Sequence, residues 1–104
     1  MTAPDNLSAA RAALFAAITA DYMLEPHELE LLAAACGALD RADEARAALD
    51  TDGLWLDGRY GPRLSPLVAV ERDSRLVAAR LFRQLGLGEH ATSAHRAPDR
   101  KARR

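Results

Sequence analysis

With 104 residues, the chain is expected to form one compact domain with tails, and a multi-domain enzyme is excluded at this length. Of 51 apolar residues 23 are Ala, so a core built from Leu and Ala buries little area per residue, which favours self-association or a partner. The formal net charge of −1 hides a division: residues 1–57 carry three Arg against eleven acids, a balance of −8, and residues 58–104 carry eleven basic residues against four acids, a balance of +7.

The first predicted helix runs from about Asp5 to Tyr22, with Asp5 or Ser8 as N-cap and Leu7, Leu14, Ile18, Ala10 and Ala17 on its buried face. The Ala-rich stretch Ala12–Ala20 reads as this packed helix and not as the apolar segment of a signal peptide. A second start follows at Leu24-Glu-Pro-His-Glu-Leu29, where Pro26 fits the first helical position, Glu28 the third, and Leu24 closes on Leu29 as a hydrophobic staple. Its stripe of Leu29, Leu32, Cys36, Leu39, Ala42 and Leu49 ends at Asp50-Thr-Asp-Gly53. Gly37 leaves open one long helix or two short ones, with one long helix favoured.

From Gly53 to Ser65 the period changes from helical to extended. Leu54-Trp55-Leu56, then Asp57-Gly58, then Arg59-Tyr60 predicts a β-hairpin with a type I′ turn at Asp57-Gly58 and a return strand ended by Gly61-Pro62. Two strands alone are barely stable in water, so this hairpin needs the helices or a neighbouring subunit. The last helix starts with Ser65 as N-cap and Pro66 inside it, and stops at Gly86. At 100° per residue, Leu67, Val70, Ser74, Val77, Leu81 and Leu85 share one face, while Arg72, Arg75, Arg80 and Arg83 share an opposite arc of roughly 140°. Leu76 falls inside that arc, with Phe82 and Val68 near its edge; with Trp55 of the hairpin they are the candidate subunit-interface residues. The fold class is therefore mainly α: three to four helices, one hairpin at 53–64 before the last long helix, and self-association. Residues 1–88 form the domain and 89–104 a basic, disordered tail.

Enzyme chemistry finds no foothold. The sole Lys is Lys101, so a phosphate-binding Gly-x-x-x-x-Gly-Lys loop is excluded. His27-Glu28 opens like a metalloprotease helix, but Leu31 stands where the second His is required. His90 and His95 have no fixed acid or nucleophile beside them, and the unpaired Cys36 lies on the apolar stripe, where a small buried thiol is the ordinary role. No metal, cofactor or catalytic residue is expected. No run approaches the roughly 18 apolar residues that a membrane span needs, and the chain is expected in the cytoplasm.

What remains is the basic half. Phosphate recognition needs cationic donors along one surface, and the candidates are Arg59 and Arg63 at the hairpin, Arg72, Arg75, Arg80 and Arg83 on the last helix, and Arg96, Arg100, Lys101, Arg103 and Arg104 in the tail. Glu71 and Asp73 compete for the helix Arg residues through ion pairs, whether i,i+4 or between chains.

The succession Leu24-Glu-Pro-His-Glu-Leu-Glu-Leu-Leu32, Leu39-Asp-Arg-Ala-Asp43, Asp52-Gly53, Gly58-Arg-Tyr-Gly-Pro62, Ser65-Pro66-Leu67 and Leu81-Phe-Arg-Gln-Leu-Gly-Leu87 resembles, over residues 22–88, the small subunit of phage terminase in its short-chain, P-twenty-seven-like branch. Two positions depart from that pattern: Glu25 stands where a capping Thr is common, and Ser65 where Asn or His often precedes the Pro. The resemblance implies a nonenzymatic, ring-forming component that engages double-stranded viral DNA and passes it to the large terminase subunit, the ATPase and nuclease, in the cytoplasm of the host cell. The alternative is a helical protein-interaction module, an adaptor or antitoxin-like partner whose Arg residues serve protein contacts.

Overall fold

The computed structural model describes residues 3–87, in the order α1 (Ala9–Asp21), α2 (Pro26–Asp52), β1 (Trp55–Gly58), β2 (Gly61–Leu64) and α3 (Leu67–Gln84). Residues 89–104, expected as a basic tail, lie outside this range. The domain is mainly helical, with the hairpin placed before the last helix.

Each helix end has a local cause. Ser8 caps α1, its hydroxyl accepting from the Arg11 N–H at 3.2 Å, and the helix begins at Ala9 instead of near Asp5. At α2, Glu25 and Glu28 form a capping box in which the Glu28 carboxylate accepts from the Glu25 N–H at 2.9 Å; a Glu thus serves where a short hydroxyl side chain is the commoner cap. The helix runs unbroken through Gly37, where an added Cβ would meet nothing within 4 Å. Gly37→Ala is therefore expected to stabilise the fold by up to about 1 kcal/mol, read as a higher midpoint in denaturant. Before α3 the buried Ser65 does the capping: its hydroxyl accepts from Leu67 N–H and its carbonyl from Val68 N–H, both at 3.2 Å. Pro66 already has helical torsions (φ −64, ψ −15) but precedes the helix instead of lying inside it. At the far end Gly86 takes φ +82, and the Leu87 and Gly86 N–H groups reach the carbonyls of Phe82 and Arg83, both at 2.9 Å. This is a Schellman closure, and glycine is what its left-handed position favours.

Both α1 and α3 run antiparallel to α2. Ser8 at the start of α1 sits beside Asp40, while Glu71 and Arg75 of α3 and its C-cap Leu85 meet Arg46, Asp43 and the Leu32–Cys36 turn of α2. The three-helix end holds the core: Phe15, Leu32, Cys36 and Leu85 are buried, with Leu14, Ile18, Leu29, Phe82 and Leu87 packed around them. Further along, α2 faces α3 across Ala42, Ala45, Leu49 and Ala78, all buried; small side chains let the two backbones approach.

Three expectations on packing need correction. Phe15, absent from the predicted α1 face, is its one buried residue, and Ala10 and Ala17 are exposed. Val70 and Val77 were expected inside but are exposed, while Ala78 is buried; the buried face of α3 is rotated by roughly 40° at 100° per residue. That rotation brings Glu71 and Arg75 to α2 and turns Phe82 onto the core. The hairpin turn is shifted as well: Gly58 pairs with Gly61 and Trp55 with Leu64, so Arg59-Tyr60 forms the turn and β2 continues through Pro62 to Leu64.

The shift follows from the two glycines. Neither Arg59 nor Tyr60 has a positive φ, whereas Gly61 takes +120, and a Cβ on Gly58 would come 2.5 Å from the Gly61 carbonyl oxygen. Glycine is needed on both sides of the turn and not within it. The Ser65 N–H bonds the Leu54 carbonyl at 2.6 Å, and the alternation of an antiparallel ladder from that pair places Pro62 opposite Asp57 at a non-hydrogen-bonded step. The missing proline N–H then costs no ladder bond. Every residue of β2 is exposed.

Candidate nucleic-acid interface

The carboxylates of α2 determine which guanidinium groups are available. Asp43 accepts from Arg11 Nη2 at 2.7 Å and from Arg75 Nη2 at 3.4 Å; Glu71 holds Arg75 at 3.2 Å and Arg46 at 3.4 Å; Arg46 also reaches Asp50 at 3.0 Å. The result is one ladder, Arg11–Asp43–Arg75–Glu71–Arg46–Asp50, crossing all three helices. Each rung is solvent-accessible and contributes about 0–1 kcal/mol, so the ladder matters more for where charge is cancelled than for stability. Arg41 lies apart from it, forked onto Glu44 at 2.7 and 2.9 Å, and that hydrogen bond holds the Glu44 carboxyl below its ordinary range.

Beneath the ladder lies Asp40, buried at 5% exposure. It accepts from the Ser8 N–H at 2.8 Å and the Ser8 hydroxyl at 2.6 Å, with Arg11 Nε at 3.8 Å. Burial pushes its pKa up, but the two Ser8 bonds and the nearby Arg11 outweigh that, and the carboxyl titrates below its ordinary value. Asp40 is a structural anchor joining the start of α1 to the middle of α2. The sequence gives it no marker, because Ser8 is 32 residues away.

The candidate DNA-contacting residues fall into three groups. Arg75 is taken up by Asp43 and Glu71, and Arg72 touches only its neighbour Asp73, at 3.2 Å, both side chains about two-thirds exposed. Arg59, Arg63, Arg80 and Arg83 are exposed and, among the described residues, have no carboxylate partner. Arg59 lies 5.8 Å from the centroid of the Tyr60 ring, and Tyr60 is 94% exposed at the hairpin tip. Arg96, Arg100, Lys101, Arg103 and Arg104 lie outside the described residues.

The four candidate interface residues separate as well. Trp55 and Leu76 are more than half exposed, Val68 is half-buried, and Phe82 packs against the protomer's own core. Leu54, Tyr60 and Leu64 join Trp55 as exposed groups of the hairpin segment. Near the other end, Leu14, Ile18, Tyr22, Ala79, Phe82 and Leu87, together with Arg83, line a mainly apolar groove of about 550 Å³ between α1 and α3. None of the helices described is long and apolar enough to cross a membrane. No protein-family model, curated protein or solved structure matches this chain.

Proposed function

We propose that the protein is a nonenzymatic, self-associating DNA-binding component of the terminase small-subunit type, which holds double-stranded viral DNA and hands it to a motor and nuclease subunit. The carrying observation is a set of exposed guanidinium groups that stand outside the ion pairs of the described residues. The acids Asp43, Glu71 and Asp50 are spent on Arg11, Arg46 and Arg75, and among the described residues Arg59, Arg63, Arg80 and Arg83 are exposed without a carboxylate partner. Four uncompensated guanidinium groups suit a polyanion, and their planar forks suit phosphate. The exposed apolar hairpin supports self-association, since an isolated two-stranded ribbon is marginal in water. The ordered segments between residues 22 and 88 supply the likeness to packaging subunits.

The salt dependence of duplex binding tests this function. Log affinity should fall against log salt with a slope near −0.9 per neutralised phosphate. Replacing both Arg59 and Arg63 by Ala should flatten the slope by about 1.8, and removal of residues 96–104 should flatten it further. Arg75→Ala, whose charge is already cancelled, should leave it unchanged. Absence of duplex binding at about 50 mM salt, together with a monomer in light scattering, would favour a protein-interaction adaptor instead.

A further inference from the structure

We infer that the outward ridge of α3, formed by Arg72, Leu76, Arg80 and Arg83, reads base edges in the major groove of duplex DNA. The inference rests on the DNA-binding function proposed above and goes beyond it, because phosphate contacts hold a duplex without selecting its sequence.

The four positions follow the spacing i, i+4, i+8, i+11 and fall within one stripe of the helix. They lie opposite Ala78 and Leu85, which are buried towards α2 and the core. All four are exposed, with Leu76 at 55% in the middle. From Arg72 to Arg83 the ridge is about 16 Å long, the length of roughly five base-pair steps at 3.4 Å each. A groove about 12 Å wide admits a helix about 10–12 Å across.

The chemistry of the ridge is more specific than electrostatic attachment requires. A guanidinium fork matches the O6 and N7 acceptors of guanine, and an apolar side chain matches the methyl group of thymine. Leu76 would be wasted on phosphates. A protein partner would have to answer three guanidinium groups with its own acids around that Leu, since the ridge offers only Asp73, beside Arg72. Arg59 and Arg63, both exposed on the hairpin that precedes α3, leave cationic side chains available for the phosphate backbone.

Selection of the full chain against a random-sequence duplex library at about 150 mM salt, where long-range attraction is screened, tests the inference. The expected result is an enriched motif of about five base pairs containing guanine. Arg80→Lys keeps the charge and loses the fork. It should weaken binding to the enriched duplex by about tenfold and leave a scrambled duplex unaffected. Arg80 is exposed and, among the described residues, without an ion pair, so the variant should fold, which its thermal melt would verify. Salt-dependent duplex binding without any enriched motif would overturn base reading and leave the proposed function standing. A motif whose affinity is unchanged in both Arg80→Lys and Leu76→Ala would also overturn it, since the bases would then be read elsewhere. No duplex binding under any condition would remove both.

Discussion

Phe15→Ala is expected to cost about 3–5 kcal/mol, because it removes a large buried side chain and leaves a cavity that rigid helices close only in part. Phe15 is 3% exposed and inserts among Leu32, Cys36 and Leu85, so it holds α1 and α3 to the same turn of α2. A domain of this size has roughly 4–13 kcal/mol of stability in all, and many of its other buried positions are Ala. Denaturant titration followed by helical circular dichroism should show the midpoint collapse. A loss below about 1 kcal/mol, the scale of ordinary surface substitutions, would mean that α1 does not pack as described.

Asp40→Ala should be the next most damaging change, at about 2–3 kcal/mol, since charge-assisted hydrogen bonds exceed neutral ones and the deletion strands their donors. The Ser8 N–H and hydroxyl would lose their acceptor, and Arg11 would lose one of its two carboxylates. The Asp40 carboxyl titrates below its ordinary 3.8 in the folded chain. Its contribution is therefore complete above that value and is lost as pH falls through the lower, folded-state pKa. The stability gap between the parent chain and Asp40→Ala should be constant near ~pH 7 and narrow below ~pH 4, measured by denaturation at each pH. A gap that widens on acidification would refute the assignment of Ser8 and Arg11 as its partners.

What the sequence made legible was local. The start of α2 at Pro26, the stop at Gly86 and the continuity of α2 depend on residues within a few positions of one another. The hairpin was visible but its turn was not, because Asp57-Gly58 matches a type I′ signal while the register places Pro62 where no ladder bond is lost and uses Gly58 for a close backbone approach. Phe15 escaped because α1 has apolar residues on more than one side, and only α2 and α3 together choose among them. The candidate interface was legible as a set of Arg residues but not as a division among them. Arg75 pairs with Glu71 at the anticipated i,i+4 spacing, yet Asp43 is 32 residues away and Arg46 meets Glu71 across 25. Such pairings are properties of the packed helices, beyond the reach of spacing.

The sole thiol of the chain sits at the junction that Phe15 and Leu85 seal. Burial pushes the Cys36 pKa up, so the group is both shielded and poorly ionised while the helices are together. Alkylation of Cys36 then requires α1 or α3 to lift from α2, and its rate clocks that opening without an added label. A neighbour or a bound duplex that clamps these helices would register as slower chemistry at one sulfur atom.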